Sequence, residues 1–307
     1  MRKITIGKSG LEAPVVAVGL MRINKVDKKA AANFVRKALD LGAYFFDNAD
    51  IYGGSECEKV FAEAIKASGA LREDVLIQTK CGIVPGRMYD FSREHIVASV
   101  EGSLRRLGTD YIDVLLLHRP DALVEPEEVA EAFEELHSSG KVLHFGVSNQ
   151  NPYQIKLLQK YVKYPIIANQ LQLSLTNATM ITQGIHVNIL NDEHALNRDG
   201  SVLDFCRLED ITIQPWSPFQ FGKIEGVFLE NPKYPALNVK ITEMSKKYGV
   251  SKTTIVMAWI LRHPAKMQPV TGTMNEGRLE DCVKAAEVTL SREDWYALLL
   301  SAGSNLP

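Results

Sequence analysis

An acid, a phenol, an amine and an imidazole occupy matching places along the chain. Asp47 and Tyr52 lie in FFDNADIYGGSE, residues 45–56. Lys80 closes VLIQTK, residues 75–80, and His118 closes IDVLLLH, residues 112–118. Taken singly, each has an ordinary explanation: a loop-capping acid, a packed aromatic, a solvated strand end, a hydrogen-bonded rim histidine. Together they have a chemical logic. A free phenol ionises near pH ~10, too high for acid or base work at neutral pH. An ammonium beside it stabilises the phenolate and is expected to lower that value, and a carboxylate keeps the ammonium charged and in place. An imidazole opposite can donate a hydrogen bond to a substrate oxygen. The set suits protonation of a carbonyl oxygen while another agent attacks the adjoining carbon.

None of these side chains is a source of electrons, so that agent is expected to be a hydride from a nicotinamide. A nicotinamide needs a flat surface, amide contacts and an anion site. Trp216 in QPWSPF, followed by Ser217, offers the surface. Ser148 and Asn149 in GVSN and Gln170 in ANQ offer polar groups for a carboxamide. The stretch VTGTMNEGR, with Thr271, Gly272 and Thr273, runs from an aliphatic segment into a helical one. Backbone N–H groups at such a junction receive phosphate, and Arg278 can pair with a second phosphate. No GxGxxG follows the first aliphatic segment, which argues against the doubly wound dinucleotide fold. No ligand set for a metal is apparent.

These residues need elements to position them. Eight aliphatic runs, at 15–20, 43–47, 75–80, 112–118, 142–149, 166–172, 211–217 and 267–272, are continuous rather than alternating. That pattern fits strands buried on both faces of a parallel sheet. Helix-period segments lie between them, at 27–42, 92–108, 125–140, 151–162 and 275–287. Pro126, acids in a first turn, and Gly42 and Gly108 at ends are the expected terminal signals. Eight βα units predict an α/β fold, a (β/α)8 TIM barrel, whose chemistry gathers at the carboxyl ends of the strands. Those ends carry Asp47, Lys80 and His118, with Tyr52 in the loop beyond the second. ITIGKSGLEAPVV predicts a small N-terminal β-hairpin turning at Ser9–Gly10 and plugging one end. SREDWYALLLSAGSNLP predicts an extra C-terminal helix. Residues 173–210 are too long for an ordinary loop and predict a short helix near 201–208. No Pro-, Gly- or Ser-rich linker divides the chain, so one domain over 1–307 is expected.

Hydrophobic residues make up 46% of the 307 and charged residues 23%, enough for a large core. The net charge of −2 gives no sign of a nucleic-acid or membrane partner. No apolar run spans a bilayer and no signal-peptide core is present, so a cytoplasmic location and a monomer or weak oligomer are expected. Cys57, Cys81, Cys206 and Cys282 form no CxxC and are read as reduced, packed thiols.

The chain resembles an aldo/keto reductase over nearly its whole length. FFDNADIYGGSE, IQTK and DVLLLHRPD resemble the family's signatures around its aspartate and tyrosine, its lysine strand and its histidine strand. GKVLHFGVSN and NQ resemble its nicotinamide-binding strands, and residues 118–149 and 173–210 look most like a bacterial branch of oxidoreductases. The resemblance implies NADPH-dependent reduction of an aldehyde or ketone, a small carbonyl substrate. Tyr52 would be the general acid, Lys80 and Asp47 its tuning pair, and His118 the residue that orients the carbonyl. Ser148, Asn149 and Gln170 would hold the carboxamide and Trp216 would stack on the ring. Gly272 stands where many members carry lysine and Cys282 where many carry asparagine, while Arg278 matches. NADP(H) is therefore expected over NAD(H). Met21, Arg22, Phe219 and the loop 81–91 are expected to wall an open pocket. The other readings are an NADP(H)-binding redox-sensing or regulatory subunit with slow turnover, and a Schiff-base lyase using Lys80.

Overall fold

A computed structural model describes residues 1–190 and 192–306. Asn191, inside the long 173–210 segment, and Pro307, the last residue of the expected domain, lie outside the described residues. The aliphatic runs form eight parallel strands: β1 (Ala17–Gly19), β2 (Phe45–Asp47), β3 (Leu76–Cys81), β4 (Ile112–Leu117), β5 (Val142–Ser148), β6 (Ile166–Gln172), β7 (Thr212–Trp216) and β8 (Val270–Thr271). They pair in the order β7-β6-β5-β4-β3-β2-β1-β8. The seam between β7 and β8 is bridged by the Gln268 N–H, which donates to the Ile213 carbonyl at 3.0 Å. The result is the predicted TIM barrel.

The helices close the units. Those named here are α1 (Lys28–Asp40), α2 (Glu56–Ser68), α3 (Arg93–Leu107), α4 (Pro126–Ser138), α5 (Pro152–Tyr161), α6 (Thr179–Ile185), α7 (Val202–Leu208), α8 (Pro235–Tyr248), α9 (Lys252–Leu261), α10 (Glu276–Lys284) and α11 (Arg292–Ser301). Pro126 opens α4 and Gly42, with φ of +72°, follows α1, as expected. Ser92 accepts from the His95 N–H and Gly108 ends α3 in the left-handed region. Asn151 and Gln154 exchange side-chain and backbone bonds around the start of α5. Four helices, α2, α6, α8 and α9, are not among the segments expected from the sequence. In α9 every residue from Thr254 to Ile260 is buried, so it has no polar face and no period.

Lys3–Thr5 and Glu12–Pro14 form the N-terminal hairpin. Its tip closes the amino end of the barrel. Ile6 and Ala13 pack with Ala17, Phe45, Val114, Leu116 and Ile167 in one apolar cluster. Gly7 is required there. Its φ is +53° and an added Cβ would lie 2.4 Å from the Ile167 carbonyl oxygen. Outside the barrel, strand side chains meet helix side chains, as where Phe133 of α4 stacks on Phe145 of β5 at 3.9 Å between centroids. The barrel interior is thus apolar at the hairpin end, and what lies above that plug is polar.

Candidate active site

β2 ends at Asp47 in register with Gln78 of β3, and Lys80 stands two residues further along β3. This shared register brings the predicted acid and amine together. Lys80 Nζ lies 2.8 Å from the Asp47 carboxylate. It also donates to the Asn48 carbonyl at 2.6 Å and to the Tyr52 hydroxyl at 3.3 Å. All three ammonium hydrogens therefore have acceptors, in a side chain that is fully buried. His118 follows β4, and its ring meets the Tyr52 ring edge-on at 5.8 Å. The four predicted residues converge at the carboxyl end of the barrel.

Burial opposes the charge on Lys80, but Asp47 and the Tyr52 oxygen together hold it above its ordinary value, so the amine stays an ammonium. Burial also pushes the Tyr52 phenol up, and Lys80 only partly offsets this. The expectation of a lowered phenol pKa is thus corrected: the cost of desolvating a phenolate here exceeds the attraction of one ammonium already shared with a carboxylate. Tyr52 is a neutral, protonated phenol. Burial, Lys80 and Arg119 push His118 well below its usual range, so its imidazole is neutral. Its Nδ1 is buried without a partner among the described residues.

Beneath the four lies a column of glutamines, of which the sequence singles out only Gln170, and for another role. Gln78 and Gln170 each donate an amide hydrogen to Asp47 Oδ1, at 2.6 and 3.0 Å. Gln78 and Gln214 exchange amide bonds, Gln214 donates to Gln268 at 2.9 Å, and Gln268 donates to the Pro14 carbonyl at 2.7 Å. A hydrogen-bonded line runs from the hairpin to the catalytic-end carboxylate. Its only sequence signal is a glutamine inside four of the eight aliphatic runs. Glu58 of α2 is a second miss. It accepts from Thr79 at 2.6 Å and from Arg106 at 2.7 Å, and so fixes β3 from outside the barrel.

The residues expected to face a cofactor are placed unevenly. Trp216 lies at the mouth, its indole N–H donating to Asn149 Oδ1 at 3.1 Å, with the Arg119 guanidinium 5.6 Å from the ring centroid. Asn149 Nδ2 donates to Ser148 Oγ at 2.7 Å, and that hydroxyl donates to the Gln170 carbonyl at 3.0 Å. Asn149 and Ser217, each just past a strand, have φ of +58° and +54°, tight exits that turn the chain across the barrel mouth. The Gln170 amide nitrogen is directed into the barrel toward Asp47. Thr271 is fully buried, its hydroxyl 3.4 Å from Cys282 Sγ and its backbone in the sheet beside Val18. Burial pushes the Cys282 thiol up to about 12. Gly272, Thr273 and Arg278 line the junction from β8 to α10, where Asn275 caps the helix by accepting from the Arg278 N–H. Arg22 is not confined to a substrate wall: its guanidinium donates to the Gly272 carbonyl at 3.3 Å. A Cβ on Gly272 would lie 3.0 Å from that guanidinium. The absent side chain makes room for that guanidinium, a cationic cradle at the junction from β8 to α10. The flat ring, the amide cluster and this cationic cradle fit a dinucleotide carrying phosphates.

Comparison with known proteins gives a consistent result. A model of the "Aldo/keto reductase family" matches residues 15–299. "Uncharacterized oxidoreductase YcsN" of Bacillus subtilis is 35% identical, covering 100% of both chains. A "6-dehydroglucose reductase" of Agrobacterium fabrum is 35% identical over 97% of both. Among solved structures, a thermostable aldo-keto reductase, Tm1743, in complex with the inhibitor epalrestat superposes with a TM-score of 0.78 at 25% identity, covering 99% of this chain and 100% of that one.

Proposed function

The chain belongs to the aldo/keto reductase family, and we propose that it is an NADPH-dependent reductase of a small aldehyde or ketone with Tyr52 as general acid. The observation that carries this reading is the contact of buried Lys80 with both the Asp47 carboxylate and the Tyr52 hydroxyl. When bound, the reduced nicotinamide supplies the hydride that the carbonyl carbon accepts. Ser148, Asn149 and Gln170 would hold its carboxamide, Trp216 with Ser217 its ring, and the stretch from Thr271 to Thr273 with Arg278 its phosphates. Arg22 adds a cation at Gly272, which favours NADPH over NADH where the chain lacks a lysine.

The chain's own residues do the rest. Neutral His118 offers one ring nitrogen to the substrate oxygen and fixes its direction. Tyr52 keeps its proton until negative charge grows on that oxygen, then passes it across. As the phenol becomes a phenolate its attraction to Lys80 rises, so the ammonium stabilises the transition state more than the ground state. Asp47 and the carbonyl of Asn48 hold the ammonium in place, and Gln78 and Gln170 hold Asp47.

Steady-state oxidation of NADPH and of NADH with a panel of aldehydes and ketones tests the reading. Turnover favouring NADPH, and lost in Tyr52→Phe, is expected. Tight cofactor binding with no turnover on any carbonyl would point instead to a regulatory subunit. Trapping of Lys80 by borohydride with a carbonyl substrate would point to Schiff-base chemistry.

A further inference from the structure

The helices α4 and α5 pack side by side outside the barrel, and their exposed faces carry opposite charge. α4 exposes Glu127, Glu131, Glu134 and Glu135, whereas α5 and the turn after it expose Lys156, Lys160 and Lys163. Part of this charge is paired within the chain. Lys163 lies 3.4 Å from Glu134, and Arg93 of α3 holds Glu135. The rest is not. Glu127 and Glu131 have no cationic partner among the described residues. Lys156 and Lys160 have no carboxylate there and meet only the rings of Phe205 and Tyr161, at 5.6 and 5.2 Å. The two free acids are four residues apart, and so are the two free lysines, which is about 6 Å along each helix.

The same face carries apolar surface. Tyr153, Leu157 and Tyr161 follow one another at four-residue spacing on α5, and Tyr153 is 79% exposed. On α4 a groove of about 540 Å³ runs over Ala130 and Ser138, with Arg93 and Tyr161 at its edges. A tyrosine is a large, rigid ring with a polar tip, suited to a groove that mixes a methyl group, a ring and charged side chains. Free acids and free lysines on one face of one chain make that face complementary to itself. Both helices follow strands of one parallel sheet, so they run in the same direction. A two-fold axis perpendicular to them reverses a second copy and lays its α5 along α4. Glu127 then faces Lys160 of the partner subunit, Glu131 faces Lys156 of the partner subunit, and every contact occurs twice. An unrelated protein would have to supply both patterns, whereas a second copy carries them already.

We infer that the α4–α5 face is the interface of a two-fold dimer of this chain, with Tyr153 of each copy in the groove on α4 of the other. Sedimentation velocity of the full chain tests this, whatever the outcome of the reductase assays. The wild type is expected to be a dimer at micromolar concentration. Lys156→Glu with Lys160→Glu turns both free sets acidic, and Glu127→Lys with Glu131→Lys turns both basic. Each double variant alone sets like charges against each other across the axis, and its dimer Kd is expected to rise roughly a hundredfold. An equal mixture of the two variants opposes unlike charges at both halves and is expected to recover the dimer. That recovery also shows that both variants fold. Tyr153→Ala is expected to raise Kd about tenfold. The inference is overturned by a wild type that stays monomeric throughout the micromolar range, or by double variants that dimerise as the wild type does. A mixture that stays monomeric, or a Kd unchanged in Tyr153→Ala, overturns it equally.

Discussion

Replacing Lys80 with methionine probes the buried pair on which the site is built. The lysine side chain is fully buried and that of Asp47 is 3% exposed, with 2.8 Å between charge centres. Methionine fills similar volume but leaves the carboxylate without its counter-ion. Breaking one partner of a buried pair costs roughly 3–5 kcal/mol. Asp47 keeps the amide donors of Gln78 at 2.6 Å and Gln170 at 3.0 Å. The loss is therefore expected near the lower bound, about 3 kcal/mol. Asp47→Asn combined with Lys80→Met removes the stranded charge and keeps an oxygen for those donors. The double variant should recover at least half of the loss. Urea denaturation of the four proteins of the cycle, with equal m-values as the check on two-state behaviour, measures this. A double variant no more stable than Lys80→Met would refute the claim that an unpaired buried carboxylate is what destabilises the single variant.

Asp50 yields a pH test. Burial and the nearby Glu58 raise its carboxyl from 3.8 to about 7. The folded state therefore binds this proton more tightly than the unfolded chain. The stability it contributes is complete below about pH 4 and is lost as pH rises through about 7, on the order of 4 kcal/mol at about 1.4 kcal/mol per pH unit. Asp50→Asn should match the wild type at pH 4 and be more stable at pH 8, as read by urea melts at both. Of the three tryptophans, Trp259 and Trp295 stack on one another in the core, 5.2 Å apart. NADPH should therefore quench Trp216 most strongly, and Trp216→Phe should remove most of the quench in a fluorescence titration. Arg22→Gln removes one cation from the Gly272 cradle and should weaken NADPH about tenfold while changing NADH less, measured as Kd for each cofactor.

The barrel was legible because each strand is a continuous aliphatic run and most of the expected helices between them carry an apolar period. Asp47, Tyr52, Lys80 and His118 were legible because polar residues at the ends of buried strands break that run. The helix α9 was not, since burial on all sides erases its period. The glutamine column was not, because a single amide inside an aliphatic run looks like an isolated exception until closure of the barrel brings four of them into line. The sign of the Tyr52 shift could not be read from residue types either. Proximity of an ammonium was legible, whereas the depth of burial that outweighs it is a property of the folded pocket. Arg22 illustrates the same limit: its partner, Gly272, lies 250 residues away and meets it only through the pairing of β1 with β8.

The central claim is that the Tyr52 hydroxyl delivers the proton as the carbonyl is reduced. The most direct measurement is single-turnover mixing of the NADPH complex with an aldehyde, following nicotinamide absorbance in the wild type and in Tyr52→Phe. Tyr52 has one side-chain hydrogen-bond partner, Lys80, so phenylalanine should leave the fold and NADPH affinity intact. The rate of the hydride step should fall roughly 10²–10⁴-fold. An equal rate at equal NADPH affinity would contradict the account.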